Sequence, residues 1–412
     1  KEIIIDQNNR KEQENLKDRE IFSKVESYIK NNFVIIISGI RRCGKSTLLS
    51  QIRKKHPGYY LNFDDERLIN FKIEDFKILE ELFMELYGEK EIFYFDEIQN
   101  IPMWERFVRR LHDERKKVFI TGSNASMLSK ELGTHLTGRY LMLQMFPFSF
   151  KEFLSLKKFE LDEKSVFLTA SRAKIKKNFA EYFINGGFPE YLRELNLDYL
   201  KTLYENIVYR DILVRYKLPN EKSLKELVYI AINNISKEIS FNSIKRTLGL
   251  GSSTTVKDYF DYLENSFLVF LIPKFDYSLR KQMYYNKKVY CIDNGLAKYL
   301  GFRLTSDNGK LLENIVFIEL KRRGNEIYYY SDKKECDFII KQGSKITQVI
   351  QCCYELTRDN REREILGLTE AMNKFKLKKG LILTYDQEEE IEQGNKKIKV
   401  MPVWKWFLTG DV

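Results

Sequence analysis

The chain has 412 residues, of which 43% are hydrophobic and 14% aromatic, with 70 Lys+Arg against 59 Asp+Glu for a net charge of +11. That is material for two to four packed domains at about 100–200 residues each, and it excludes general disorder. The longest apolar run, Phe267–Ile272, falls far short of the roughly 20 residues of a membrane helix, and five cysteines without a C-x-x-C pair, beside three histidines, exclude a disulfide scaffold or zinc finger and point to a reducing, cytoplasmic setting.

The first residues, Lys1–Asp6, hold no apolar signal core, so no secretory signal is read. Residues 7–20 are polar and read as a helical or loose lead-in. Short β-branched and aromatic runs follow at Phe33–Ile37, Tyr59–Phe63, Glu91–Phe95, Val118–Thr121 and Tyr140–Leu143. Helical patterns separate most of them, as at Lys77–Leu86 and Trp104–Glu114. Such alternation predicts a parallel sheet with helices on both faces. Beyond residue 150 the pattern turns helical. Residues 164–206 read as helix interrupted by Asn185-Gly-Gly-Phe-Pro189, and 221–236, Ser240–Leu248 and Ser253–Ser266 as further helices. Two strands, Phe267–Pro273 and Tyr284–Ile292, close this stretch in the order of a winged helix-turn-helix. The remainder reads as a third α/β region. It has helices Gly309–Arg323 and Arg361–Lys374 and strands Glu326–Tyr330, Cys336–Ile340, Thr347–Cys353 and Gly380–Tyr385.

Chemistry concentrates first in Gly39-Ile-Arg-Arg-Cys-Gly-Lys-Ser46, a complete G-x-x-x-x-G-K-S phosphate loop. The glycines let backbone N–H groups face phosphates, Lys45 reaches the β/γ oxygens, and Ser46 can ligate Mg²⁺. A strand before and a helix after supply the expected context, so Gly39, Arg42, Cys43, Gly44, Lys45, Ser46 and Thr47 are candidate contacts to ATP. Phe93-Tyr-Phe-Asp-Glu97 ends a strand in two carboxylates. Asp96 suits a water-mediated Mg²⁺ contact and Glu97 suits the general base for the attacking water. Ser123 or Asn124 can bond the lytic water or the γ-phosphate. Arg139, in Thr137-Gly-Arg139, is a candidate arginine finger for a neighbouring subunit's nucleotide.

Charge is uneven. Residues 151–300 carry 25 Lys+Arg against 18 Asp+Glu, which suits an anionic partner such as DNA. Within the winged-helix segment, Lys245, Arg246, Thr254, Lys257, Arg280, Lys281, Lys287 and Lys288 are the candidate DNA contacts.

The motifs Gly39–Ser46, Tyr60-Leu-Asn-Phe-Asp-Asp65, Phe95-Asp-Glu-Ile-Gln99, Ile120-Thr-Gly-Ser123, Leu136-Thr-Gly-Arg139 and Pro147-Phe-Ser-Phe150 together resemble AAA+ ATPases of bacteria and archaea with a C-terminal DUF4143 region. Gly186–Glu190, Tyr209–Ile212 and Gly309–Asn314 extend the resemblance over nearly the whole chain. It implies a P-loop core (1–158), a helical lid (159–206), a winged-helix segment (207–300) and a degenerate nuclease-like α/β domain (301–412). It also implies assembly as an oligomer, a hexameric ring among the forms, and work on DNA, branched or junction DNA included, with no membrane role. A metal-dependent nuclease of the PD-(D/E)xK type needs two acids and an E-x-K strand. Glu313 and Asp337 supply the acids. Gln351 and Cys353 stand where the second strand acid and the lysine belong, so the fold is expected without cleavage. Two other readings compete with the DNA-binding ATPase: a nucleotide-switched regulatory ATPase acting on protein partners, and an ATP-gated nuclease.

Overall fold

A computed structural model describes residues 1–9, 19–123, 136–162, 164–301 and 307–410. Asn124 lies outside them. The chain divides into two compact units, Lys1–Phe146 with Asn265–Phe267, and Pro147–Glu264 with Leu268–Val412.

The first unit is built on β1 (Val34–Gly39), β2 (Tyr59–Asn62), β3 (Ile92–Asp96), β4 (Lys117–Gly122) and β5 (Tyr140–Met145). All pair in parallel, in the order β2-β3-β4-β1-β5. β1 and β4 are buried along their whole length, which explains why they read as unbroken apolar runs rather than alternating ones. Helices Lys45–Lys55, Asp75–Tyr87 and Trp104–Asp113 connect the strands. Aromatic packing fills the layer between strand and helix, with Phe76 stacked on Phe107 at 4.0 Å and Tyr59 on Phe83 at 4.7 Å. The register aligns Ser38 with Gly122, and Phe95 with Ile120. The carboxyl ends of β1, β4 and β3 therefore share one edge of the sheet, where ligands of open α/β sheets bind.

The second unit begins at Pro147, short of residue 158, because helix Phe150–Leu156 packs on the helices after it rather than on the parallel sheet. That helix starts with a capping box between Ser149 and Glu152, and Phe150 packs against Phe179, Tyr182 and Phe407. Helices Thr169–Asn185, Pro189–Glu194 and Leu197–Asn206 come next, then a π-helical stretch, Ile207–Val214. Helices Glu221–Asn233, Phe241–Thr247 and Ser253–Asn265 accompany an antiparallel ribbon, β6 (Glu238–Ile239), β7 (Val269–Pro273) and β8 (Lys287–Cys291), in the order β6-β8-β7.

After helices Asn294–Leu300 and Asn308–Arg322 comes a six-stranded sheet ordered β13-β14-β12-β11-β10-β9. Its strands are β9 (Glu326–Ser331), β10 (Glu335–Gln342), β11 (Lys345–Cys352), β12 (Lys379–Thr384), β13 (Glu389–Gln393) and β14 (Lys396–Pro402). Helix Arg361–Lys374 makes the crossover between the parallel strands β11 and β12. The architecture is thus α/β, a parallel P-loop-type sheet plus a separate terminal sheet. Among the described residues no helix is long and apolar enough to cross a membrane.

Candidate functional site

At the carboxyl end of β1 the chain turns through residues 40–44 into helix Lys45–Lys55. Gly39 is required by packing, because a Cβ there would stand 2.2 Å from the carbonyl oxygen of Met145. Gly44 is required by conformation, with φ of +99°. The Lys45 ammonium is buried, donates to the carbonyls of Gly39 (3.0 Å) and Ile40 (3.2 Å), and lies 3.6 Å from Glu97 Oε1. Ser46 is exposed at the mouth of the loop, with Thr47 half-buried behind it and Arg42 exposed beside it. Cys43 is fully buried, and that burial pushes its thiol pKa up.

β3 delivers the carboxylates. Asp96 is fully buried, accepting hydrogen bonds from the hydroxyls of Thr121 and Ser46, and from Tyr60 at 3.4 Å. Burial raises its pKa and Glu97 adds to the rise, while the bonds from Ser46 and Thr121 and the charge of Lys45 oppose it. Glu97 adopts the left-handed region at φ 51°, a conformation rare outside glycine and held only where surrounding contacts impose it. Three such contacts hold Glu97. Its N–H donates to Thr121 Oγ1 (3.1 Å), and its Oε2 accepts from Ser123 Oγ (3.3 Å) and Gln99 Nε2.

No motif marks out Thr121, although it stands in Ile120-Thr-Gly-Ser123. With β4 between β1 and β3, its hydroxyl bonds both Asp96 and the Glu97 amide and fixes the two acids together. A second unanticipated residue is the buried Arg19, which donates to the carbonyls of Cys43 (2.6 Å) and Phe146 (2.8 Å). It closes a polar lead-in with no pattern of its own. The paired hydroxyl and carboxylate of Ser46 and Asp96 are hard oxygen donors and fit Mg²⁺. Arg139 stands elsewhere. Its carbonyl accepts from Val34 N, at the opposite end of the sheet, and its guanidinium lies 3.6 Å from Asp113.

In the second unit, Glu313 and Asp337 do come together. What joins them is Lys288, fully buried on β8, donating to Glu313 Oε1 at 3.0 Å and Asp337 Oδ1 at 2.9 Å, with Glu335 Oε1 at 2.6 Å. Lys288 is therefore not a DNA contact. Its ammonium is spent on three carboxyl groups inside the fold and cannot present itself to a phosphate. Burial works against its charge, yet Asp337 and Glu313 outweigh it, and its pKa stands well above the usual lysine value. Burial and the Asp337 charge push Glu313 up to about 8, against bonds from Tyr290 (2.7 Å) and Lys288. Gln351 accepts from Asp337 N (3.2 Å) and donates to Glu364 Oε2 (2.7 Å). Cys353 packs among Leu356, Leu368 and Ala371. The lysine between the two acids thus comes from a strand well upstream in the chain, which no local motif could announce.

Of the other candidate DNA contacts, Arg246, Thr254, Lys257, Arg280 and Lys281 are exposed, and Lys245 and Lys287 half-buried. Burial lowers the pKa of Lys287, with Glu264 opposing. The open face of helix Ser253–Asn265 sets Lys257 beside the exposed Asp258 and Asp261, so its charge is mixed rather than basic.

Comparison with known proteins gives three family matches: residues 31–154 to the AAA domain, 176–308 to a domain of unknown function (DUF8612), and 308–406 to a domain of unknown function (DUF4143). An uncharacterized protein of Methanocaldococcus jannaschii (MJ1544) is 37% identical over 400 residues, covering 92% of this chain and 89% of that protein. An uncharacterized protein of Haemophilus influenzae is 33% identical over 397 residues, covering 92% and 94%. Among solved structures, the Walker-type ATPase PABY2304 of Pyrococcus abyssi aligns with a TM-score of 0.45 at 17% identity, covering 70% of this chain and 97% of that one.

Proposed function

Because this chain belongs to the family of AAA-domain ATPases with a C-terminal DUF4143 region, we propose that it is a Mg²⁺-dependent ATP hydrolase that binds DNA and works as an oligomer. One observation carries the hydrolase reading. Lys45, Ser46, Asp96, Glu97, Thr121 and Ser123 form one bonded set at the carboxyl ends of adjacent strands. The loop amides and the Lys45 ammonium hold the β/γ phosphates. Ser46 directly, and Asp96 through water, would hold Mg²⁺, which neutralises phosphate charge when bound. Glu97 takes the proton of the attacking water, and Ser123 and Gln99 aim its Oε2.

Arg139 supports the oligomer. β5 runs parallel to β1 and pairs Gly39 with Met145, so Arg139 stands about 20 Å from the phosphate loop at about 3.3 Å per residue. From there it serves only the nucleotide of a second copy, as an arginine finger. The DNA reading rests on the exposed cations of the segment 241–287, where the helices and ribbon take the order of a winged helix-turn-helix. The exposed Asp258 and Asp261 favour the second reading, a nucleotide-switched regulatory ATPase that acts through protein partners. ATP turnover measured without DNA, then with single-stranded, duplex and four-way-junction DNA at two salt concentrations, separates them. Stimulation by one DNA form that fades as salt rises supports the DNA reading. Turnover indifferent to every DNA, with none bound, supports the regulatory one.

A further inference from the structure

Between β7 and β8 the ribbon carries a small helix, Leu279–Tyr284. Its base is anchored. Phe275 packs edge-on against Phe375 (5.1 Å) and Tyr328 (5.5 Å), and its N–H donates to the Tyr329 carbonyl at 2.8 Å. Its tip is bare. Tyr277 is 77% exposed, Leu279 73%, Met283 76% and Tyr284 81%. Four large apolar side chains together in water, on an anchored support, mark a contact surface.

The charge around them selects the partner. From Lys274 to Lys287 there are four cations, Lys274, Arg280, Lys281 and Lys287, and a single acid, Asp276, whose carboxylate accepts from Ser278 N at 2.9 Å. Lys274 also lies over the Tyr285 ring at 4.7 Å. Arg280 and Lys281 stand on the same helical turns as the exposed Leu279, Met283 and Tyr284. Rings and apolar wedges bordered by cations complement a polyanion whose bases can be stacked upon. The helix is six residues, or about 9 Å at 1.5 Å per residue. That is too short to lie along a major groove and matches instead the exposed base step of a duplex end or branch.

We propose that the ribbon tip 277–285 is a wedge for DNA at a single-strand/duplex junction, with Met283 and Tyr284 stacking on the terminal bases and Arg280 and Lys281 on the flanking phosphates. This rests on the DNA reading above. The test uses the full chain and fluorescently labelled forked and blunt DNA of equal length, with anisotropy over a salt series and 2-aminopurine at the fork. The double variant Met283→Ala/Tyr284→Ala loses about tenfold in fork affinity and the 2-aminopurine response, while its salt slope stays that of the parent. Arg280→Ala/Lys281→Ala weakens fork and blunt DNA alike and lowers the salt slope by about two. All four side chains are exposed, so thermal unfolding verifies that each variant is folded. If the parent binds DNA and both variants bind the fork as it does, the wedge is refuted and the DNA reading stands. If the parent binds no DNA, both fall together. If the apolar variant instead loses self-association with DNA binding unchanged, the tip is an interface between copies and the wedge is refuted.

Discussion

Thr121 and Lys288 have the same role at two places, each holding neighbouring acids in one arrangement. Thr121→Val removes the bonds to Asp96 and the Glu97 amide while keeping the shape of the side chain. It is expected to cost about 1–3 kcal/mol of stability and to slow turnover, with Thr121→Ser restoring both; denaturant unfolding and steady-state ATPase assays read the two effects. Lys288→Met leaves Glu313 and Asp337 buried without their cation. A loss of about 3–5 kcal/mol is expected; urea midpoints of the parent and the variant measure it. An unchanged midpoint would mean that the Lys288 contacts to Glu313, Glu335 and Asp337 contribute nothing. The nucleotide residues are legible in the sequence because their chemistry is local, eight consecutive residues in one case and a strand end in the other. Lys288 reads as a surface cation for the converse reason. Its neighbour Lys287 is half-exposed and Lys288 is buried, and only packing distant in sequence, with Glu313 on helix Asn308–Arg322 and Asp337 on β10 meeting the Lys288 ammonium, decides which of the two turns inward.

Among the elements, Asp293 links two segments far apart in sequence. It caps helix Asn294–Leu300 through Leu296 N (3.0 Å) and accepts from Gly187 N (2.6 Å) in the turn after helix Thr169–Asn185. Burial pushes its pKa up to about 6, against those bonds. A carboxyl whose folded pKa is raised holds its proton in the folded state after the unfolded chain has released it. Its contribution is thus complete below pH ~4 and is lost as pH rises through ~6, worth up to about 3 kcal/mol. Asp293→Asn is expected to flatten that part of the stability–pH curve; a variant with the parent's slope over pH ~4–6 would assign the effect elsewhere. The five strands of the first sheet and helix Arg361–Lys374 are legible because their periodicity is clean. The hairpin β13–β14 is not. As a sheet edge it reads as charge, Glu389-Glu-Ile-Glu against Lys396-Lys-Ile-Lys, and only the pairing of Glu390 with Lys399 and Glu392 with Lys397 shows why. The small helix Leu279–Tyr284 is hidden for a related reason, since no residue of it is buried.

For the whole molecule, the phosphate loop lies in one compact unit and the basic ribbon in the other, and the proposed assembly would repeat both. The assembly has its own test. Arg139→Ala and Lys45→Ala are each expected to lower turnover strongly, by about 10³-fold for a lost finger. Mixed together they should regain activity, since an intact finger on the second meets an intact phosphate loop on the first; a mixture as inactive as its components would place Arg139 outside the reaction. The proposed function as a whole depends on Glu97 acting as base toward a nucleotide held by Lys45. The decisive measurement pairs ATP binding with ATP turnover, for the parent and for Glu97→Gln, in Mg²⁺. Both proteins are expected to bind ATP with similar affinity, and the variant to turn it over at least about 10²-fold more slowly. A variant that hydrolyses ATP at the parent's rate would contradict the role of Glu97 as the base.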